Sequence, residues 1–124
     1  MENFWEEAEV ISTYTRQQAL EDGELVDVSD TAREAGFKWP VALTRRLWDT
    51  IEDIPPSQSH QDTQGRLWDV LWMASLAARR GGDGVMFYSL IMHHGRRKYI
   101  TLKMHAGPGD SFEPVVTIML PDED

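Results

Sequence analysis

The chain has 124 residues, of which 41% are hydrophobic and 27% charged, and its formal net charge is −9. A chain of this size and composition suits one domain that buries its own core, and the composition excludes a disordered chain. The absence of cysteine excludes thiol catalysis and disulfide scaffolding. No apolar run reaches the roughly 18–20 residues that span a bilayer, and the N-terminus lacks the pattern of a signal peptide. We therefore expect a soluble cytoplasmic protein without a membrane partner.

The negative charge lies at the two ends of the chain. Residues 1–34 carry ten carboxylates and two arginines, and the last three residues are all acidic, whereas residues 35–120 carry ten basic and eight acidic side chains. Such a pattern bears on partners and solubility rather than on fold. We expect an acidic N-terminal arm over residues 1–11 and a single α+β domain over residues 12–124.

The first predicted elements are short. Thr15 followed by Gln18 has the spacing of a helix capping box, and Gly23 is a natural helix stop. The local signals predict, in order, a helix over 15–22, a strand over 25–28, and a second short helix that Ser29 or Asp30 caps and Gly36 ends.

A longer helix is predicted over residues 40–53. Pro40 is well placed to open it. Apolar residues recur there at the spacing of one helical stripe, namely Leu43, Leu47, Trp48, Ile51 and Ile54. Pro55-Pro56 ends the helix, and the polar segment 57–65 is expected to be a loop.

Residues 66–80 give the strongest helical pattern in the chain. Leu67, Leu71, Ala74 and Ala78 share one face, and neighbouring tryptophans and alanines widen it. A stripe this wide predicts a helix that is buried on most sides. Gly81-Gly82 ends it.

After Gly84 the pattern alternates, which predicts strands over 85–93 and 97–105 joined by a hairpin turn. If paired residue numbers sum to about 190, one face is almost wholly apolar and the other mixes aromatic, basic and polar side chains. A slip of one residue would destroy that separation, so the pattern supports the register. A turn at 107–110 leads to a third strand over 114–120, with Val116, Ile118 and Leu120 toward the core. The expected fold is α+β, with short N-terminal helices and one long buried helix on a three-stranded antiparallel meander.

The carboxylates of the N-terminal region are the first candidate site. Such residues often only solvate a surface, and the functional interpretation is that they present negative charge to a basic protein partner. The residues that we expect to form this partner surface are Glu21, Asp22, Glu24, Asp27 and Asp30.

The mixed face of the predicted hairpin is the second candidate site. Aromatic and basic side chains interleaved on a sheet are typical of single-stranded nucleic-acid binding, and the residues here are Phe87, Arg97, Tyr99 and Lys103. The alternatives are a face covered by helices or a plain solvated surface. A net charge of −9 repels phosphate, which disfavours nucleic acid.

No catalytic residue, cofactor or metal site is predicted. His93 and His105 would lie at opposite ends of the hairpin, roughly 26 Å apart along the strand, which is too far to share a metal ion. Asp49 and Asp53 are one helical turn apart and have no predicted pocket to desolvate them. An enzyme with a pocket near segment 57–65 is the third alternative. Five tryptophans also leave a homodimer open beside a monomer.

Several segments resemble an uncharacterised family of small bacterial proteins. The similar segments are residues 12–23, 25–28, 31–37, 39–44, 65–73, 107–110 and 113–124. Members are known only as a domain of unknown function, so the resemblance implies no catalytic residue. It implies a context, that of an accessory protein of mobile DNA elements that interferes with host defence or DNA-handling proteins.

Overall fold

The structure is a computed structural model that describes residues 14–54, 62–82, 84–93 and 97–123. The elements in these ranges are α1 Arg16–Asp22, β1 Leu25–Asp27, α2 Ser29–Glu34, β2 Val41–Thr44, α3 Arg45–Glu52, α4 Thr63–Arg79, β3 Val85–His93, β4 Arg97–Pro108 and β5 Pro114–Met119. The predicted arm over residues 1–11 lies outside the described residues, and so do the hairpin tip at 94–96 and residues 57–61.

The strands form one five-stranded sheet in the order β1-β2-β5-β4-β3. Strands β2 and β5 are parallel, and the other neighbours are antiparallel. The α+β class and the β3-β4-β5 meander are confirmed, and every β3–β4 pair has residue numbers that sum to 190, from Val85 opposite His105 to His93 opposite Arg97. The prediction of a three-stranded, wholly antiparallel sheet was wrong, because β1 and β2 extend the sheet beyond β5 and β2 pairs with β5 in parallel.

The helix predicted over residues 40–53 was wrong in its first turn. Residues 41–44 form β2, and Val41, Ala42 and Leu43 are at most 1% exposed between β1 and β5. A short apolar run fits a buried strand and a helix equally well, and burial in the sheet decides between them. Helix α3 starts only at Arg45, with the Thr44 hydroxyl accepting a hydrogen bond from the Leu47 amide.

Helix α4 confirms the predicted long buried helix, but it begins three residues earlier than expected. Asp62 caps it by accepting a hydrogen bond from the Gly65 amide, so residues 63–65 belong to the helix rather than to a loop. Trp68 and Trp72 stack along the helix with ring centroids 6.0 Å apart. The buried residues of α4 include Leu67, Val70, Leu71, Ala74 and Ala77.

The short helix α2 lacks the predicted cap. Its N-cap is Val28, which makes no side-chain capping bond, and neither Ser29 nor Asp30 has that role. Instead the Ser29 hydroxyl accepts a hydrogen bond from the Val41 amide at 3.0 Å and donates one to Asp27 at 2.6 Å. Ser29 therefore ties the start of α2 to β1 and β2.

The sheet carries helices on both faces, but not equally. Helices α2, α3 and α4 cover the inner face, and the largest fully buried side chains of this core are Leu43, Leu47, Ile51, Leu71, Leu102 and Ile118. Helix α1 lies on the outer face over β1 and beside β5. The outer face of the β3–β4 hairpin has no described helix over it. The two candidate sites therefore lie side by side on the outer face, one around α1 and the other on the hairpin.

One arginine is part of the core. Arg66 is 4% exposed, and its Nη1 donates hydrogen bonds to the carbonyl oxygens of Ile51 at 3.2 Å and Asp53 at 2.9 Å. These carbonyls belong to the C-terminal end of α3, where a cation is favoured. Arg66 thereby joins α3 to α4.

Candidate functional site

Helix α1 has well-capped ends despite its seven residues. The Thr15 hydroxyl accepts a hydrogen bond from the Gln18 amide at 3.0 Å, and the Gln18 side chain accepts one from the Thr15 amide at 2.9 Å. This is the predicted capping box, and Gly23 ends the helix at φ 80° as predicted. The caps determine where the following acidic residues lie.

Asp110, in the turn after β4, completes the N-terminal cap of α1 from across the chain. Its two carboxylate oxygens accept hydrogen bonds from the amides of Gln17 at 3.0 Å and Arg16 at 2.8 Å. These backbone bonds hold the pKa of Asp110 below its usual value. No local pattern in the sequence indicates this contact, since the two partners are more than 90 residues apart.

Arg16 attaches α1 to the outer face of the sheet. Its Nη1 donates to the Thr117 hydroxyl at 2.7 Å and its Nη2 to the Val116 carbonyl at 2.9 Å. The guanidinium is half buried, and this burial lowers its pKa, while the nearby carboxylates of Asp110 and Asp27 oppose the shift. Arg16 is therefore occupied in holding the helix, and its charge is shared with groups around it.

All five predicted acidic residues are exposed, and the sheet edge at β1 divides them. Glu21, Asp22 and Glu24 follow from α1 on the outer side, and Asp27 points to the same side from β1. Asp30 lies on α2, against the other face, and forms an ion pair with Arg33 at 2.5 Å. We call the first four residues, Glu21, Asp22, Glu24 and Asp27, the acidic surface. None of these four carboxylates forms an ion pair with a described basic residue.

A tyrosine that the sequence analysis did not single out contacts the acidic surface. The Tyr14 hydroxyl donates a hydrogen bond to Asp22 at 2.7 Å. This bond and the charge of Asp22 raise the pKa of Tyr14 to about 12. Tyr14 is itself 57% exposed, so it offers a ring and a hydrogen-bonded carboxylate at the same surface.

The acidic C-terminal residues are separate from the acidic surface. Asp122 pairs with Arg46 at 3.2 Å. Glu123 accepts hydrogen bonds from the Thr44 hydroxyl at 2.7 Å and the Leu120 amide at 2.8 Å. Both carboxylates therefore bind residues where β2 ends and α3 begins, and they are not part of the acidic surface.

Within the described ranges no helix covers the outer face of the β3–β4 hairpin, which we call the open face; the nucleic-acid alternative requires such a face. Phe87 is 60% exposed and Tyr99 is 75% exposed. Phe87 lies directly opposite Lys103, whereas Tyr99 is four residues away along β4, roughly 13 Å. Between them the hydroxyls of Ser89 and Thr101 form a hydrogen bond at 3.1 Å.

The basic residues expected on this face offer fewer free groups for binding a ligand than the aromatic residues do. Lys103 Nζ donates a hydrogen bond to the backbone carbonyl of Glu123, so the C-terminal segment occupies it. Backbone pairing puts Arg97 opposite His93, but its side chain lies outside the described part of the chain. The two aromatic rings are thus the main described feature of the open face.

Between α1 and the open face lies a concavity of about 470 Å³. Tyr14, Glu24, Lys103 and His105 line it together with apolar and hydroxyl side chains of the sheet. The concavity joins the acidic surface to the hairpin face. The expected enzyme pocket near segment 57–65 falls mostly outside the described residues.

The histidine pairing follows the sequence prediction, with His93 opposite Arg97 and His105 opposite Val85 at the two ends of the hairpin. In the ranges that the structure describes, no group of three or more histidine or carboxylate side chains is placed to hold a metal ion. Helix α4 has 17 residues, and none of the described helices combines the length and hydropathy of a membrane crossing.

Residues 1–124 match the family described as "Family of unknown function (DUF6573)". No curated protein and no solved structure matches the chain.

Proposed function

Since the chain belongs to a family of unknown function, we propose from the site alone that the protein acts without catalysis, by binding a basic protein through its acidic surface. The observation that carries the proposal is the combination of exposed carboxylates and a well-anchored support. Glu21, Asp22, Glu24 and Asp27 have no described ion-pair partner, and Arg16 and Asp110 hold α1 in place.

Charge complementarity favours a basic partner. Unpaired carboxylates attract a cationic surface, accelerate the encounter and penalise acidic competitors. A surface that is already ordered loses little conformational entropy on binding. The setting we propose is the bacterial cytoplasm, with the protein as an accessory factor of a mobile DNA element and the partner a host defence or DNA-handling protein.

The experiment compares three full-length forms by affinity capture followed by mass spectrometry and a binding isotherm. The first is the wild type, the second Glu21→Lys/Glu24→Lys, and the third is the control Glu34→Lys/Glu52→Lys. Both doubles reverse two exposed carboxylates, and the control residues lie at the C-terminal ends of α2 and α3, where lysines are favoured.

We expect the wild type and the control to bind the same basic protein, and the acidic-surface variant to bind it about 10–100-fold more weakly. The loss should shrink with added salt, because exposed charges are screened. Equal affinity of all three forms, or a captured partner that is itself acidic, would contradict the proposal.

A second candidate function is single-stranded nucleic-acid binding on the open hairpin face. The exposure of Phe87 and Tyr99 favours it, since each ring offers a stacking surface worth about 1–3 kcal/mol per base. Fluorescence anisotropy with a labelled oligothymidylate tests it. Phe87→Ala/Tyr99→Ala should weaken binding, and Phe112→Ala should not, because Phe112 is exposed in the β4–β5 turn, away from this face. A wild type that does not bind the oligonucleotide at low salt excludes this candidate.

A further inference from the structure

The free edge of β3 has an unusual combination of length and composition. Strand β3 has nine residues, none of them a lysine, arginine, aspartate or glutamate, and it lies at the end of the sheet opposite β1. Sheet edges are normally blocked by charges, prolines, bulges or short length. The β3 edge has none of the charges or prolines and is long, so it is suited to pairing with another strand.

The hydrogen-bond register shows which backbone groups this edge offers. The Ala106 amide donates to the Gly84 carbonyl at 2.7 Å, which identifies residues 84 and 106 as a hydrogen-bonded antiparallel pair. The even-numbered residues of β3 therefore bond to β4. The odd-numbered ones, among them Val85, Phe87, Ser89 and Ile91, direct their amides and carbonyls away from the sheet, and no described residue bonds to these groups.

The sequence of β3 is self-complementary about its centre. Residues equidistant from Ser89 are chemically matched, as the pairs Tyr88 and Leu90, Phe87 and Ile91, and Met86 and Met92. Antiparallel pairing of two copies about Ser89 would place each residue opposite its match and bring outward-facing groups into register on both strands.

The distribution of charge also favours a second copy of the chain as the partner of the β3 edge. Two molecules of net charge −9 repel each other, but no acidic residue occurs in the sequence between Gly84 and Gly109. The acidic surface lies at the β1 edge, four strand spacings or roughly 19 Å from β3. Contact through β3 therefore keeps the two acidic surfaces far apart, and contact through β1 would bring them together.

A partly covered groove runs beside the same edge. It has a volume of about 290 Å³ between α4 and β3, and Trp72 and Met73 line it together with Asp69 and residues 89–91. Trp72 is 39% exposed there. In a two-fold arrangement the groove would face the second copy, which gives the exposed ring a surface to pack on.

We propose that β3 pairs antiparallel with β3 of a second copy about a two-fold axis at Ser89, forming a homodimer with a continuous ten-stranded sheet. This dimer does not depend on the acidic surface, and it would remain if that surface bound nothing.

The test uses a matched pair of variants of the full chain. Ser89 and Thr101 are opposite each other on the open face and share a hydrogen bond, so Ser89→Lys and Thr101→Lys lose the same contact and add the same charge. At the axis the two copies of residue 89 would be about 5.5 Å apart, whereas the two copies of residue 101 would be three strand spacings or roughly 14 Å apart.

Light scattering and sedimentation then give the mass in solution. The wild type and Thr101→Lys are expected at twice 14.2 kDa, whereas Ser89→Lys is expected to have a dimer dissociation constant raised about 5-fold or more, because it places two like charges opposite each other at the axis. A monomeric wild type at about 100 µM overturns the proposal. So does a dimer whose dissociation constant is the same in Ser89→Lys.

A crosslink tests the position of the axis. The chain has no cysteine, so Ser89→Cys introduces a single thiol. In the proposed dimer the Cα atoms of the two copies of residue 89 lie within the distance range of a disulfide. The Cα atoms of the two copies of residue 101 lie outside that range. Oxidation should link the first variant and leave the second unlinked, and the reverse result would refute the assignment.

Discussion

Arg16 and Arg33 differ in what they do, although both lie among the acidic residues, and replacing each by methionine separates anchoring from charge. Arg16 makes two charge-assisted hydrogen bonds to β5, at 2.7 and 2.9 Å. At about 1.5 kcal/mol each they sum to about 3 kcal/mol, which we reduce to about 2 kcal/mol because the side chain is half buried and methionine keeps its apolar contacts. The Arg33 side chain is 65% exposed and forms an ion pair with the exposed Asp30, so its loss should cost less than about 0.5 kcal/mol.

Urea denaturation measures the difference. With a slope near 1.5 kcal/mol per molar, Arg16→Met should lower the midpoint by roughly 1.3 M and Arg33→Met by roughly 0.3 M or less. Hydrogen exchange should also show that the amides of α1 lose protection in the first variant and keep it in the second. Equal effects of the two substitutions would mean that Arg16 does not hold α1 on the sheet.

Three further outcomes follow from other contacts. Arg66→Met should lower the free energy of unfolding by about 3 kcal/mol, and Arg66→Lys by about half as much, in the same urea assay, because the α3 carbonyls lose some or all of their charged donor. The pKa of Asp110 is lower in the folded state than its unfolded value of about 3.9. The carboxylate therefore stabilises the fold above about pH 3.9, and this stabilisation is lost as the pH falls through the folded-state pKa. Asp110→Ala should flatten the acid side of a plot of the free energy of unfolding against pH. Asp22→Asn should move the pKa of Tyr14 from about 12 toward 10 in an alkaline absorbance titration.

The elements that the sequence predicted well are those whose determinants are local. The capping box at Thr15 and the stop at Gly23 involve neighbours three or four residues apart, and the hairpin register follows from alternation in two adjacent strands. Strand β2 was missed because Val41–Thr44 has an apolar pattern that also suits a helix. Its strand partners lie at Leu25–Asp27 and at Val116–Ile118, and burial between these two strands makes a strand the better choice.

For the candidate site, as for the fold, local features could be predicted and contacts between distant residues could not. Exposure of Phe87 and Tyr99 follows from alternation, and exposure of the acidic residues follows from their charge. Two features were beyond the sequence. Asp110 and Arg16 meet only after the sheet has formed, and the separation of Asp30 from the other carboxylates requires knowing that α1 and α2 lie on opposite faces.

The two proposed interfaces have a joint consequence, because they occupy opposite edges of one sheet. In the β3-paired dimer the two acidic surfaces would lie nine strand spacings apart, roughly 43 Å along the sheet. A partner that is itself repeated could engage both at once, and the second contact would then raise the apparent affinity through effective concentration rather than through new contacts. Ser89→Lys should therefore weaken capture of an immobilised, multivalent partner but leave binding to a soluble, monovalent one unchanged, whereas Glu21→Lys/Glu24→Lys should weaken both. If Ser89→Lys also weakened monovalent binding, the β3 edge would itself contact the partner, and the separation of the two edges by function would be wrong.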